Sequence, residues 1–187
     1  MERTLTLPPR MAGAHRARPK LESSIVAMVL VLMAETMLFA GLIGACVMMR
    51  GRAMVWPPVD LPRLAWWVTI ATTSALLSSA VILASQGLAA RRSSVLLTAF
   101  MGAVFFGVQA IEWTRMLKWN GARGVYAGVF FSLIGVHGLH VLAGVIALTW
   151  AGWTMGRPGD ALRLKVCGMY WYFVVAVWPV LYVIIYH

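Results

Sequence analysis

The chain has 187 residues, of which 61% are hydrophobic and 12% are charged. Soluble domains carry about 25% charged residues and roughly 45–50% apolar ones, so this composition excludes an ordinary soluble domain and indicates a membrane protein. The formal net charge is +10. Because the basic residues lie in short segments between apolar runs, they are interpreted as topology signals and contacts to lipid headgroups, and no binding to nucleic acid is expected.

Five apolar segments follow a basic N-terminal arm, residues 1–23, and each is long enough to cross a bilayer, which takes about 20 residues. Backbone polar groups have no partner in lipid, so each segment is predicted to be an α-helix. The sequence therefore predicts an all-α membrane protein with one five-helix transmembrane bundle over residues 24–187. To within several residues, the predicted helices cover 24–49, 65–88, 94–118, 126–151 and 166–187.

The distribution of basic residues predicts the orientation of the bundle. An N-terminus inside the cell places ten of the 16 Lys and Arg residues on the cytoplasmic side and six on the other side. The excess of positive charge in cytoplasmic loops therefore favours an N-terminus inside and a C-terminus outside.

The first helix carries Glu35 near its middle, in the segment LMAETMLFAG. An ionisable residue at this depth costs a few kcal/mol, about 2.5–3.5 kcal/mol on insertion scales, and is a candidate functional residue. Two interpretations stay open: a proton-handling or lipid-facing carboxyl group, or a neutral glutamic acid that hydrogen-bonds a neighbouring helix.

The third helix carries Gln109 and Glu112, in MGAVFFGVQAIEWTRM. Their i, i+3 spacing places them on one helical face, and Arg115 continues that face by one turn. An ion pair between Glu112 and Arg115 near the membrane interface is the simplest explanation of this pattern.

The fourth helix carries His137 and His140, again i, i+3, in FFSLIGVHGLHVLAG. Two imidazoles so placed could ligate a metal or a haem. One helix rarely supplies both ligands of a haem, however, and a metal site would require Glu35 or Glu112 as a third ligand. Hydrogen bonds from the two rings to other helices are therefore favoured.

Small residues run through the same helix, which is predicted to be the packing centre of the bundle because small residues let helices approach closely. The glycines concerned are Gly128, Gly135, Gly138 and Gly144.

Several blocks of the sequence, in the same order, resemble subunit III of the haem-copper oxidases. The most characteristic is RGVYAGVFFSLIGVHGLHVLAG, residues 123–144, whose core HGLHV begins at His137. The segment AETMLFAG resembles a block of the family in which Glu35 takes the place of a buried glutamate. Further similarity lies in WPP (Trp56 to Pro58), in TTSALLSSAVILAS, in FFGVQAIEW and in the C-terminal segment.

The resemblance implies an accessory subunit of the short, five-helix bacterial form, located in the cytoplasmic membrane. It implies no catalytic, cofactor-binding or metal-binding residue in this chain, with haem and copper carried by partner subunits. It also implies direct packing on subunit I, association with subunit II and with a larger respiratory supercomplex, bound phospholipid, and support of proton uptake and stability during aerobic respiration. The WPP block favours a cytochrome c oxidase.

The last helix departs from the family pattern at three positions. Tyr172 and Val175 stand where the family usually has His and Asp, and Pro179 stands at a position that is usually apolar. A proline inside a helix is expected to kink it or to free a backbone carbonyl. Whether the lipid or proton role extends to this helix is therefore left open.

Three alternatives remain at this level. One is a subunit III-like component of a nitric oxide reductase or quinol oxidase. The second is a stand-alone membrane cytochrome or quinol-binding enzyme that uses His137 and His140. The third is a small transporter or proton channel built around Glu35.

Overall fold

The computed structural model describes residues 18–52, 55–56, 66–86, 91–118 and 124–186. Most of the predicted N-terminal arm, Pro57 and Pro58 of the WPP block, and His187 lie outside the described residues. Within the described part, the chain forms five α-helices in this order: α1 (Arg18–Arg52), α2 (Trp66–Gln86), α3 (Arg92–Lys118), α4 (Val125–Trp153) and α5 (Asp160–Tyr186). The prediction of an all-helical fold with five helices is confirmed.

Four of these helices, α1, α3, α4 and α5, are long and apolar enough to cross a membrane. The second helix is also apolar, and its 21 residues extend over about 31 Å at 1.5 Å per residue. That length is close to the thickness of the hydrocarbon core, about 30 Å. The orientation of the bundle across the membrane stays a prediction.

Two helices begin earlier than the hydropathy pattern indicated. The first begins at Arg18 and the last at Asp160, each six residues before the predicted boundary of 24 or 166. Hydropathy marks only the part of a helix that lies in lipid, whereas backbone hydrogen bonding continues through polar residues at the interface.

Local hydrogen bonds explain why α5 begins at Asp160. Two glycines in the preceding turn, Gly156 and Gly159, have φ values of 88° and 80°, a conformation that side chains disfavour. The Asp160 carboxylate accepts hydrogen bonds from the backbone N–H of Gly156, at 2.9 Å, and of Ala161, at 2.6 Å. The acidic side chain thereby satisfies one donor in the first turn of α5, as a capping residue does, and ties the preceding turn to the start of the helix.

The helices are not equally involved in packing. Among the described residues, α4 contacts α1, α3 and α5, and α5 contacts α1, α2 and α4, whereas α1 contacts only α4 and α5. In the most apolar stretch of α1, 6% of the residues are buried, against 39% to 44% in α3, α4 and α5. Helix α1 therefore lies at the edge of the bundle.

The centre of the bundle is built around two tryptophans of α5, Trp171 and Trp178, both fully buried. The Trp171 ring lies against Gly102 of α3 and Gly144 of α4, where a side chain would collide with it. Its indole N–H donates a hydrogen bond to the Ser79 hydroxyl of α2, at 3.1 Å. One residue thus joins four helices.

The three positions where α5 departs from the family pattern have different environments. Val175 is buried and Tyr172 is exposed. The helix continues through Pro179. Because proline has no backbone N–H, the Val175 carbonyl lacks its usual intrahelical donor.

Candidate functional site

The structure brings Glu35 of α1 and His140 of α4 together. The Glu35 Oε2 atom lies 2.8 Å from His140 Nε2, and the two side chains are 26% and 13% exposed. The other ring nitrogen, Nδ1, lies 2.7 Å from the backbone carbonyl oxygen of Val136, one turn earlier in α4. A carbonyl oxygen accepts only, so Nδ1 carries a hydrogen and donates to Val136.

This geometry determines how many protons the Glu35–His140 pair holds. With Nδ1 protonated, the short contact to Nε2 requires one further proton between the imidazole and the carboxyl group. Either His140 is an imidazolium facing a carboxylate, or a neutral glutamic acid donates to a neutral imidazole. Both arrangements have zero net charge, which limits the cost of placing the pair in a membrane.

An aromatic ring from α5 covers the Glu35–His140 pair. The Tyr170 ring stacks on the His140 ring with a centroid distance of 6.4 Å, and its hydroxyl donates to the His140 backbone carbonyl oxygen at 3.4 Å. Phe39 of α1 packs edge-on against the His140 ring at 5.1 Å. The site therefore unites α1, α4 and α5, and it holds α1 to the rest of the bundle.

His137, three residues earlier, has a different environment. Its ring is buried, stacks on Trp178 at 5.5 Å, and has no hydrogen-bond partner for either nitrogen among the described residues. The expectation that both rings bond to neighbouring helices therefore matches the geometry of His140 and differs from that of His137.

On α3, Gln109 and Glu112 are both buried, as their position on one helical face requires. Arg115, in contrast, is exposed. The expected ion pair between Glu112 and Arg115 stays a prediction.

The four glycines of α4 also separate into two classes. A side chain at Gly138 would collide with the Trp113 ring, and one at Gly144 would collide with the Trp171 ring. At Gly128 and Gly135 an added methyl group would have no neighbour within 4 Å in the described structure. The predicted close packing therefore occurs at Gly138 and Gly144, and not at Gly128 and Gly135.

The arrangement offers no obvious ligand set for a metal. Within the described residues, no group of three or more His, Cys, Asp and Glu side chains is placed to hold a metal ion. The five candidate polar residues fall into two environments: a hydrogen-bonded pair, Glu35 and His140, and a buried set on α3 and α4, Gln109, Glu112 and His137.

Sequence reasoning missed the part played by Trp171 and Trp178, and the close approach at Gly102. A signal was present, because two tryptophans seven residues apart lie on one helical face and far from the membrane interface that tryptophan usually prefers. It also missed Arg50 of α1 and Tyr126 of α4, which donate to the carbonyl oxygens of Ile184 and Ile185 at the end of α5.

Comparison with known proteins extends over almost the whole chain. A family model described as cytochrome c oxidase subunit III matches residues 8–187. The cytochrome c oxidase subunit 3 of Thermostichus vulcanus is 30% identical, over 87% of this chain and 86% of that protein. The protein of the same name from Synechocystis sp. is 31% identical, over 97% and 82%.

A third relative has a similar level of identity. The probable cytochrome c oxidase subunit 3 of Mycobacterium tuberculosis is 31% identical, over 90% of this chain and 89% of that protein. The similarity includes the segments that carry Glu35, Gln109, Glu112, His137 and His140, since the family model matches the chain through all of them. The chain belongs to the cytochrome c oxidase subunit III family of the haem-copper oxidases.

Proposed function

We propose that this chain is the non-catalytic subunit III of a bacterial cytochrome c oxidase in the cytoplasmic membrane. In this role it packs on subunit I, retains structural lipid, and supports proton uptake and stability during aerobic electron transport. The observation that supports the proposal is the match of the family model over nearly the whole chain. Haem and copper belong to the partner subunits in this proposal, with subunit II also present.

The polar interior of the bundle supports a structural and proton-related role. The Glu35–His140 contact carries one proton between two helices and has zero net charge in either arrangement. Such a pair can change the position of its proton without changing its net charge. Its partial exposure places it at the surface of the bundle, beside α1.

Two apolar grooves along α1 support the binding of lipid. One has a volume of about 370 Å³ between α1 and α4 and is lined by Leu42, Cys46, Met49 and Gly128 among others. The second, about 280 Å³, lies between α1 and α5 beside Phe39 and Phe173. We propose that phospholipid acyl chains occupy these grooves and stabilise the edge helix.

A first experiment tests membership of the complex. A tag on this chain should purify a complex with the haem-copper subunit I and with subunit II, and with the optical spectrum of its haems. Purification without a haem-copper subunit would contradict the proposal. A stoichiometric haem band from the isolated chain would favour the stand-alone cytochrome instead.

A second experiment tests Glu35 within the complex. We expect Glu35→Ala to leave the haem spectrum unchanged, and to lower the retention of this subunit and of its lipid on purification. Met37→Ala is the matched control, since Met37 is exposed on the same helix and lines neither apolar groove. Loss of the haem signal in Glu35→Ala would contradict an accessory role.

The lipid proposal has a test of its own. Gly128→Leu places a side chain in the groove between α1 and α4, whereas Gly135→Leu adds the same volume outside that groove. Native mass spectrometry of the complex should show fewer bound phospholipids for the first variant than for the second. Equal lipid content in the two variants would contradict lipid binding in this groove.

A further inference from the structure

His137 lies in a buried environment that satisfies neither of its ring nitrogens. The side chain is 1% exposed and is surrounded by Trp178 at 5.5 Å, Phe39 at 6.3 Å and Phe105 at 6.4 Å between ring centroids. The two phenylalanines have no polar atom. The single N–H of Trp178 already donates to the Thr73 hydroxyl of α2, at 3.0 Å. The rings around His137 therefore provide no hydrogen-bond partner.

A second unpartnered polar atom belongs to Gln109 on the facing helix. Gln109 is 5% exposed, and its Oε1 atom has no hydrogen-bond partner among the described residues. Phe105, one turn before Gln109 on the same buried face of α3, is the ring that faces His137.

The packing of α3 against α4 places Gln109 and His137 at the same depth in the bundle. Helices α3 and α4 are antiparallel neighbours; a side chain at Gly102 would meet Val145, and one at Gly152 would meet Leu96. Continuing this register along the two helices brings Gln109 level with residues 137 and 138. The two unpartnered residues thus lie at the same depth, and both are buried in the bundle.

The hydrogen-bonding groups of these side chains are complementary to those of water. A neutral imidazole has one N–H donor and one lone pair, and the Gln109 carbonyl oxygen accepts. Buried polar groups are nearly always paired, and buried water molecules typically make two to four hydrogen bonds to groups that protein atoms leave unsatisfied. A water molecule can donate to Gln109 Oε1 and use its remaining valences for a ring nitrogen.

We propose that a water molecule is bound inside the bundle between α3 and α4, hydrogen-bonded to Gln109 Oε1 and to a ring nitrogen of His137. This site is distinct from the Glu35–His140 pair, which lies on the side of α4 that faces α1. Glu112, one turn beyond Gln109 on the same buried face, adds a carboxyl group next to the site. The membrane-spanning part of the subunit thus has a hydrated interior as well as a polar contact at its edge.

The direct test is a cryo-EM map of the native complex that contains this chain, in lipid nanodiscs and at a resolution that shows ordered water. We expect density at about 2.7–3.2 Å from both Gln109 Oε1 and one nitrogen of His137. A direct hydrogen bond between the two side chains, or no density between them, would overturn the proposal.

A substitution provides an independent test, because the proposal predicts whether the Tm falls or rises. Gln109→Met keeps the length of the side chain and removes the whole amide group, including the Oε1 acceptor. If Oε1 has no partner, the substitution removes an unsatisfied buried atom and should raise the apparent Tm of the subunit or leave it unchanged. If Oε1 binds water, the substitution deprives that water of a partner and should lower the Tm by about 2–4 °C.

The control is Ile111→Met, at an exposed position of the same helix at nearly the same depth. It should leave the Tm and the water density unchanged. A Gln109→Met complex with unchanged or raised Tm would overturn the proposal, and so would a lowered Tm with the water density intact. If the variant does not assemble, the map of the unaltered complex decides the question.

Discussion

Helix α1 and the three-helix unit of α3, α4 and α5 are held in place by different kinds of contact. In the unit, large rings of α5 fill spaces left by glycines of α3 and α4, and the buried surface is extensive. Among the described side chains of α1, only Phe39 and Cys46 are buried. The Glu35–His140 contact near the middle of α1 joins it to α4, and the bond from Arg50 to the Ile184 carbonyl oxygen joins its C-terminal end to α5.

This difference shows how stability is distributed in a membrane subunit that functions in a complex. Apolar side chains gain little by moving from lipid into protein, so close packing and interhelical hydrogen bonds decide which helices associate. The three-helix unit obtains its stability from its own packing. The edge helix depends on a few specific bonds, and on the lipid that we propose to occupy the grooves beside it.

The strongest test of this comparison alters the packing of the unit. In Gly144→Ala, the new methyl group would lie 2.8 Å from Trp171 Cε3, and the ring cannot move away because Gly102 lies against it. Overpacking of this kind costs about 1–3 kcal/mol. We expect a lower Tm of the purified complex and a lower yield of this subunit.

Gly135→Ala is the matched control, since an added methyl group there meets no atom within 4 Å of the described structure. It should leave stability unchanged or raise it slightly, because alanine is favoured over glycine within helices by roughly 0.5–1 kcal/mol. Equal destabilisation by the two variants would show that the close packing around Trp171 is not what stabilises the unit.

A double-mutant cycle on Glu35 and His140 tests how α1 is attached. We expect Glu35→Leu and His140→Leu to weaken retention of α1 against α4, with a coupling energy of about 0.6–1.7 kcal/mol, the range of interhelical hydrogen bonds in membranes. Accessibility of a cysteine introduced in α1 would report the loosening. Strictly additive effects of the two substitutions would contradict a direct bond.

The smallest effect is expected at the end of α1. The Arg50 guanidinium donates to the Ile184 carbonyl oxygen, at 3.5 Å, near the C-terminus of α5. A cation at the negative end of a helix contributes about 0.3–1 kcal/mol, so Arg50→Gln should lower the Tm by a small amount. Arg52→Gln, at an exposed arginine two residues further along, should have no measurable effect on the Tm. A larger loss of Tm in Arg52→Gln than in Arg50→Gln would contradict a stabilising bond from Arg50 to the end of α5.

Much of the fold could be predicted from the sequence, because lipid leaves an apolar segment little choice except a helix. The candidate residues Glu35, Gln109, His137 and His140 were also predictable, since polar groups in such segments are costly and therefore conspicuous. Which of these residues contact each other could not be predicted. Whether Glu35 contacts His140 or His137 depends on the axial position of α1 relative to α4. That position results from many contacts together and cannot be read from any single residue of either helix.

The glycines of α4 show the same limit. Spacing placed Gly128, Gly135, Gly138 and Gly144 in one helix, but which of them faces a ring depends on Trp113 and Trp171 in other helices. Local periodicity gives the face of a helix, while the partner of that face is decided by tertiary packing. The described structure supplies this second piece of information.

The position of α5 in the chain has a consequence for how the subunit is made. Helices α1 to α4 are synthesised first, yet α1 has no contact with α2 or α3 in the described structure and reaches the unit only through α4 and α5. The carbonyl oxygens that Arg50 and Tyr126 bind belong to Ile184 and Ile185, in the last turn of α5. Because α4 and α5 follow α1 in the chain, the contacts that place α1 in the bundle can form only after those later helices have been synthesised, so α1 waits in the membrane while its two partner helices are made.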